Sequence, residues 1–215
     1  MTGDICGVNM FKENEVILFQ GDSVTDCGRN RDDENDMGMG YALLISSWLQ
    51  ARYPEKNLRF LNKGISGNRV SDLEARWSED CIELKPSFVS ILIGINDTWR
   101  RYDSNDPTSA EEFENTYRRI ILQVKEKTSA EIMLCEPFVL PFPEDRKPWR
   151  EDLDPKIHAV RNLAREFKTL LLPLDGLINS AAAQRKPEFW AADGVHPTMA
   201  GHALIAQEWL RKAGF

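Results

Sequence analysis

The sequence predicts an α/β protein, a three-layer α/β/α sandwich built on a five-stranded parallel sheet. Five short apolar segments, at residues 16–19, 58–62, 88–93, 131–135 and 169–174, have the length and composition of buried strands. Between them lie segments with apolar residues at helical spacing. Because parallel strands are joined by crossover helices that cover the faces of the sheet, this alternation favours three layers. No repeat, low-complexity tract or linker interrupts the pattern, so we expect one domain over residues 1–215.

The helices are predicted from the same periodicity, and the stretches between them are expected to be loops. Ser109 and Glu112 form a capping-box signal at the start of the longest helix. The predicted helices are 41–53, 70–84, 109–127, 154–167, 177–184 and 198–212. The expected loops are 27–40, the segment 99–102, the proline-rich stretch 137–148 and the last loop, 186–197. In open parallel sheets ligands bind beyond the carboxyl ends of the strands, so the site is expected there.

The charge of the chain excludes some classes of partner. Its 34 acidic and 27 basic residues give a net charge of −7, and no long basic run is present. This balance argues against nucleic acid or an anionic membrane surface as the main partner and favours a neutral or cationic ligand. No apolar run approaches the roughly 20 residues that a membrane-spanning helix needs.

The amino-terminal residues and the cysteines indicate the compartment. Residues 1–15 are polar and acidic, without the basic and then apolar segments of a secretory signal. Cys6, Cys27, Cys81 and Cys135 are widely spaced, which is typical of free thiols and not of a disulfide framework or a zinc site. We therefore expect a cytoplasmic protein.

The first strand ends abruptly at Gly21-Asp22-Ser23. A serine on a tight turn just past a strand has its hydroxyl lifted out of the sheet, where it suits a nucleophile. The alternative is that these residues form an ordinary polar turn. The choice depends on whether the chain also supplies a base and donors for an oxyanion.

Of the three histidines, His196 is the best candidate for the base. Asp193 precedes it by three residues in an irregular loop, a spacing that lets the carboxylate bind Nδ1–H and leaves Nε2 facing the serine. His158 lies within a predicted helix, so we expect a surface or half-buried position for it. His202 lies near the start of the last helix, where packing or capping is expected.

Oxyanion donors are predicted at the ends of two other strands. Asn96 follows the third strand and offers its side-chain amide, and Gly67 follows the second and offers a backbone N–H that no Cβ obstructs. The backbone N–H of Ser23 is the third expected donor. Both Asn96 and Gly67 are also common turn residues, which is the alternative explanation for each.

Taken together in this order, these residues resemble the SGNH hydrolases, also called the GDSL esterase/lipase family. Four blocks carry the resemblance from about residue 16 to the carboxyl terminus: Ile17-Leu-Phe-Gln-Gly-Asp-Ser23, Asn62-Lys-Gly-Ile-Ser-Gly67, Gly94-Ile-Asn-Asp97 and Asp193-Gly-Val-His196. The resemblance implies a flavodoxin-like SGNH hydrolase fold. It also implies Ser23 as nucleophile, Asp193 and His196 as acid and base, and Ser23, Gly67 and Asn96 as the oxyanion hole.

The longer strings are most similar to those of bacterial intracellular acetylxylan esterases. Examples are Gly21-Asp-Ser-Val-Thr-Asp-Cys-Gly28 and Ile93-Gly-Ile-Asn-Asp-Thr-Trp-Arg100. This resemblance implies removal of acetyl groups from xylo-oligosaccharides through an acetyl-serine, with no metal or other cofactor, and often in homo-oligomers. One position departs from the relatives, which carry an aromatic residue directly before the catalytic aspartate where this chain has Ala192.

Several residues near these blocks are candidates for binding the sugar. The predicted contacts are Asp22, Trp99, Arg100, Tyr102 and Trp190. Aromatic faces stack on sugar rings, although buried aromatic residues more often belong to a core. Asp22, next to the nucleophile, is also expected to hold the turn.

The loop 137–150 carries Phe138, Phe142 and Trp149. Two roles remain open for it: it walls the site, or its aromatic residues are buried in a subunit interface. We favour the interface.

Three other functions are compatible with parts of the pattern. A lysophospholipase or thioesterase would use the same residues on a long acyl chain, and an acetyltransferase would pass the acetyl group to a sugar instead of water. A non-catalytic carbohydrate-binding module is the alternative from a different class, but it has no use for a nucleophile, base, acid and oxyanion donors together.

Overall fold

The computed structural model describes residues 11–215, so the predictions for Cys6 and the first ten residues lie outside the described part. The predicted sheet is confirmed: five parallel strands lie side by side in the order β2-β1-β3-β4-β5. The strands are β1 (Val16–Gly21), β2 (Arg59–Asn62), β3 (Phe88–Leu92), β4 (Glu131–Cys135) and β5 (Leu170–Leu172). This order places β1, which leads to Ser23, between β2 and β3.

Helices cover both faces of the sheet. They are α1 (Ser23–Asp26), α2 (Tyr41–Arg52), α3 (Val70–Ala75), α4 (Ile95–Asp103), α5 (Ala110–Lys127), α6 (Arg150–Phe167), α7 (Leu174–Gln184), α8 (Pro187–Trp190) and α9 (Met199–Lys212). One layer contains α2, α9 and the short helices that contact α9, and the other contains α3, α5 and α6. The three-layer prediction is therefore confirmed.

Alternation along the strands builds two separate cores. On β1, Ile17 and Phe19 pack toward α2 and α9, whereas Leu18 between them packs toward α3 and α5. Successive side chains of a strand point to opposite faces, so a sheet covered on both sides needs strands that are apolar throughout. This requirement explains why the strands read as continuous apolar runs.

Several predicted segments differ from the structure. The predicted helix 70–84 ends as α3 at Ala75, and a separate π-helical turn follows at Ser78–Ile82. The break has a physical reason: Arg76 leaves helical geometry, and its guanidinium binds the side chains of Asn68, Gln20 and Asp80. The helix predicted at 154–167 already begins at Arg150, and the predicted last loop contains the single turn α8.

The segment 99–102, expected to be a loop, is helical and belongs to α4. The first turn of α4 buries polar residues, Asn96, Asp97 and Thr98, so no apolar stripe marks it in the sequence. As a consequence, Trp99, Arg100 and Tyr102 are held on a rigid element.

Among residues 11–215, no helix combines the length and the apolar composition that a membrane span requires.

The helix that begins at Ser23 packs directly on the loop that follows β2. A Cβ on Gly64 would lie 2.8 Å from the carbonyl carbon of Thr25 and still closer to the backbone nitrogen of Asp26. Backbone atoms cannot yield to such an overlap at low cost. Glycine at this position lets the two loops that build the site touch.

We predict that Gly64→Ala lowers the free energy of unfolding by about 1–3 kcal/mol, because the new methyl overlaps the backbone of α1. Gly176→Ala is the matched control: it lies exposed in α7, with no atom within 4 Å of the added Cβ. That variant is expected to gain about 0.5–1 kcal/mol from helix propensity. Urea unfolding measures both, and equal effects would contradict the close packing.

Candidate active site

The turn after β1 presents Ser23 as the first residue of α1. Asp22 caps this helix, because its Oδ1 accepts a hydrogen bond from the backbone N–H of Val24 at 3.0 Å. Cys27 ends the helix in the left-handed conformation. The cap fixes the direction in which the chain leaves the sheet, and Ser23 remains partly exposed at that edge.

Ser23, His196 and Asp193 form a continuous chain of hydrogen bonds. Ser23 Oγ lies 2.9 Å from His196 Nε2, and His196 Nδ1 lies 2.7 Å from Asp193 Oδ2. The second carboxylate oxygen, Oδ1, accepts from the backbone N–H groups of Val195 at 3.0 Å and His196 at 2.8 Å. Because an ionised carboxylate only accepts hydrogen bonds, Nδ1 carries the ring proton and Nε2 is left to accept from the serine hydroxyl.

Hydrogen bonding sets the charges of this pair. Burial raises the pKa of Asp193, but the bonds from the His196 ring and from two backbone N–H groups outweigh it and hold the pKa well below its usual range. The hydrogen bond to Asp193 raises the pKa of His196, and burial opposes it only in part. Asp193 is therefore ionised at neutral pH and stabilises a proton on the imidazole.

Two of the predicted oxyanion donors, Asn96 and Gly67, lie on adjacent segments that are joined by a hydrogen bond. Asn96, in the first turn of α4, is buried, and one N–H of its Nδ2 donates to the backbone oxygen of Asn68 at 3.1 Å. Gly67 next to Asn68 has φ +86°, a conformation that favours glycine. Within residues 11–215 the Gly67 N–H donates no hydrogen bond. Asn96 retains a second amide hydrogen.

Two buried carboxylates that the sequence analysis did not single out hold the loop around Gly67. Asp97 accepts from the backbone N–H of Val70 at 3.1 Å, and Asp26 accepts from the N–H of Ser66 at 2.9 Å and from its hydroxyl at 3.0 Å. Burial raises the pKa of Asp97 to about 7. Asp26 lies within the motif Gly21–Gly28 and Asp97 within the motif Gly94–Asp97, and these positions could have identified both as structural residues of the site.

The aromatic residues of α4 take different places around the triad. The Trp99 ring lies 5.9 Å from the His196 ring, so Trp99 borders the triad, and its contact with a sugar stays a prediction. The Tyr102 ring stacks on Trp149 at 5.5 Å, and its hydroxyl donates to the Pro148 carbonyl at 2.8 Å. Tyr102 therefore supports the wall next to Trp99.

Arg100 lies close to the Gly67 loop. A Cβ on Gly67 would be 3.9 Å from Arg100 Nη2, and the same guanidinium pairs with Asp103. This places a cation beside the candidate oxyanion donors.

Asp22 is buried, and Trp190 is half-buried on α8. Asp22 is 1% exposed, and burial raises its pKa to about 7. The expected role in holding the turn agrees with its cap to Val24, whereas its burial argues against direct contact with a substrate. Trp190, on α8, packs edge-on against Phe189 at 5.0 Å and against the core under α9. Among residues 11–215 the Trp190 side chain makes no hydrogen bond to Ser23 or His196, and its contact with a sugar stays a prediction.

We expected the three aromatic residues of the loop 137–150 to be buried in a subunit interface. This prediction is wrong for two of them. Phe138 and Trp149 are 3% and 2% exposed within the single chain, so neither is available to a second subunit. Trp149 lies 5.1 Å from Trp99, ring to ring. The loop therefore walls the site, as in the other role considered for it.

The other two histidines are placed as expected. His158 is exposed on α6. His202 is buried, and its Nδ1 accepts the backbone N–H of Tyr41 at 3.2 Å, the first residue of α2. Burial lowers the pKa of His202 to about 4, so it is neutral and caps that helix.

Among the described residues, no group of three or more His, Cys, Asp or Glu side chains is arranged to hold a metal ion.

The chain is similar to known proteins over most of its length. A model of the GDSL-like Lipase/Acylhydrolase family matches residues 19–204. The chain is 41% identical over 209 residues to an acetylxylan esterase from Geobacillus stearothermophilus, covering 94% of each protein.

Solved structures show the same relationship. The crystal structure of Axe2, an acetylxylan esterase from Geobacillus stearothermophilus, superimposes with a TM-score of 0.88 at 40% identity, covering 95% of this chain and 96% of that one. A putative GDSL-like lipase from Parabacteroides merdae has a TM-score of 0.91 at 35% identity, covering 95% and 97%. With a serine, a histidine and an aspartate joined by hydrogen bonds at the sheet edge and the family pattern running through most of its length, this chain belongs to the GDSL-like lipase/acylhydrolase family.

Proposed function

We propose that this protein is a serine esterase, a carboxylic ester hydrolase that removes O-acetyl groups from carbohydrates, above all from xylo-oligosaccharides. The observation that carries the proposal is the hydrogen-bonded chain from Ser23 through His196 to Asp193. The similar Geobacillus protein is an acetylxylan esterase, and Axe2 is also described as an acetyl-xylooligosaccharide esterase. Both observations point to an acetylated sugar as substrate.

The first half of the reaction forms an acetyl-serine. Ser23 Oγ attacks the acetyl carbonyl carbon while His196 Nε2 takes the hydroxyl proton. The charge that develops on the imidazole is stabilised by Asp193, whose carboxylate is already bonded to Nδ1. His196 then gives the proton to the departing sugar oxygen, and the sugar hydroxyl is released.

The second half returns the enzyme to its starting state. His196 takes a proton from a water molecule, and the resulting hydroxide attacks the acetyl carbon. The proton returns to Ser23 Oγ as the acyl bond breaks, and acetate leaves.

In both halves the carbonyl oxygen becomes an oxyanion that needs donors. We assign this role to the backbone N–H groups of Ser23 and Gly67 and to the free amide hydrogen of Asn96. The support is the Asn96–Asn68 bond and the unpaired N–H of Gly67 among the described residues. One such donor contributes roughly 10²–10³-fold to kcat.

Sugar contacts are assigned by proximity to the triad. Trp99 borders His196, and Arg100 lies beside Gly67, so both are positioned to meet the sugar that carries the acetyl group. The small, exposed Ala192 next to Asp193 leaves room at the position where the acetylxylan esterases that this chain resembles carry an aromatic residue.

No observation favours a long acyl substrate. The apolar cavity beside Asp22 and Val24 measures ≈ 10 Å³, about the size of one water molecule. The larger apolar groove of ≈ 570 Å³ lies between α2 and α9, and no triad residue lines it. A short acyl group is the better fit.

We also propose that the protein is a homo-oligomer. The groove between α2 and α9 is lined by Leu44, Leu210 and Phe215, and Trp48 beside them is 42% exposed. Contiguous exposed apolar surface of this kind marks interaction sites.

We also propose that the protein is cytoplasmic. Cys27, Cys81 and Cys135 are free thiols, which supports a reducing compartment.

Acetate release from acetylated xylo-oligosaccharides tests the proposal. Ser23→Ala is expected to reduce kcat by about 10⁶-fold, because no other group replaces the nucleophile. Ser71→Ala, an exposed serine on α3, is the matched control and should keep full activity. Substantial turnover by Ser23→Ala would overturn the assignment of the nucleophile.

The pH profile tests the acid and base. His196 must be neutral to accept a proton, so kcat/KM falls as the pH drops through its pKa, which lies above the ordinary value of about 6.5. Asp193→Asn removes the main cause of that elevation, so the acid limb of the residual activity should move to lower pH while kcat falls roughly 10⁴-fold.

The matched control for this experiment is Asp32→Asn, which is exposed in the 27–40 loop and should leave the profile in place. An acid limb that stays fixed or moves upward in Asp193→Asn would show that His196 is not the titrating base.

A further inference from the structure

An open cavity adjoins the triad on the side of α4. It measures ≈ 370 Å³, within the range of small-ligand pockets, and lies between α4 and the loop 137–150. Its lining consists of Trp99, Tyr102, Asp103, Asp145, Arg146 and Trp149. Trp99 also borders His196, with 5.9 Å between the two ring centres, so the cavity lies next to the triad.

Arg146 belongs to this lining and is not among the predicted site residues. Its Cζ lies 4.9 Å from the centre of the Trp99 ring and 4.3 Å from that of Trp149. Its side chain is 13% exposed, although it lies on a surface loop. Cation–π contact with two indole rings therefore holds the guanidinium in one place.

Part of this guanidinium is not satisfied. Nη1 pairs with Asp145 at 2.6 Å, but Nε is buried and has no hydrogen-bond partner among the described residues. A buried donor without an acceptor is costly, and native structures normally supply one. Nη2 also donates no hydrogen bond among the described residues and, unlike Nε, is not fully buried, so it is the donor that a ligand oxygen in the cavity can reach.

The chemistry of the lining favours a neutral, hydroxyl-rich ligand. Each carboxylate of the lining is paired with a guanidinium, Asp103 with Arg100 and Asp145 with Arg146, so the lining offers no unpaired cation to an anionic ligand. Carboxylates accept from hydroxyl groups, Arg donates to hydroxyl or ring oxygens, and the partly exposed Trp99 offers aromatic surface to the apolar face of a sugar ring.

We propose that this cavity is a subsite for a second sugar unit of the substrate, and that Arg146 is the residue that selects oligosaccharides over single acetylated sugars. The inference rests on the proposed acetyl esterase function. In this arrangement the acetylated unit lies at Ser23 and its neighbour along the chain lies between α4 and the loop 137–150.

A series of substrates of increasing length tests the subsite. For the wild-type protein, kcat/KM should rise from monoacetylated xylose to monoacetylated xylobiose and stay at least as high for monoacetylated xylotriose. In Arg146→Met, the ratio of kcat/KM for the xylotriose ester to that for an aryl acetate should fall roughly 10-fold, the loss expected for one hydrogen bond. The assays belong on the alkaline plateau, because the positive charge of Arg146 also lowers the pKa of His196.

Arg101→Met is the matched control. Arg101 is on α4 and its Cζ lies 5.7 Å from the Tyr102 ring, but it does not line the cavity. This variant should leave the substrate ratio unchanged. An equal loss on both substrates in Arg146→Met, or no dependence on chain length in the wild type, would overturn the subsite.

Binding of unacetylated xylotriose, measured by titration calorimetry, separates this inference from the proposed function. We expect binding that Arg146→Met weakens roughly 10-fold. If aryl acetate is hydrolysed but no acetylated sugar is, the proposed substrate fails, and Arg146-dependent binding of xylotriose would still support the subsite. Absence of xylotriose binding to the wild-type protein would refute it.

Discussion

The 2.9 Å contact between Ser23 Oγ and His196 Nε2 joins residues that are 173 positions apart. It exists because β1 lies between β2 and β3 and because the loop before α9 returns to the same edge of the sheet. Parallel strands direct all their carboxyl ends to one side, so residues from distant segments meet there without any motif joining them. The candidate chemistry of this protein depends on that convergence.

Buried carboxylates keep the converging loops in register. Asp22 caps α1, Asp26 holds Ser66, and Asp97 holds Val70, so the serine turn and the Gly67 loop are tied through backbone hydrogen bonds. A loop fixed in this way presents its N–H groups before a substrate arrives, which is the condition for effective stabilisation of an oxyanion. Burial raises the pKa of both Asp22 and Asp97 to about 7, because both carboxyl groups are removed from water where they hold these loops.

Residues whose role depends on local sequence were predictable, and residues whose role depends on a distant partner were not. Ser23 and the Asp193–His196 pair each lie in a short motif at a strand end, so the sequence predicts both. Arg146 acquires its place only when the loop 137–150 folds against α4: Trp149 is three residues away in the sequence, but the second indole ring, Trp99, comes from the distant helix. Strand positions were predictable for a related reason, since apolar runs reflect burial on both faces. The helix α4 was missed because its buried first turn is polar.

The most direct measurement of the central claim is the location of the acyl group during turnover. The enzyme would be mixed with an acetylated xylo-oligosaccharide, quenched in acid within one turnover, digested and analysed by peptide mass spectrometry. The account predicts one acetyl group on the peptide that contains Ser23, located on that residue by fragmentation. An acetyl group on another side chain, or acetate formed with no acylated peptide under conditions that trap known acyl-serines, would contradict it.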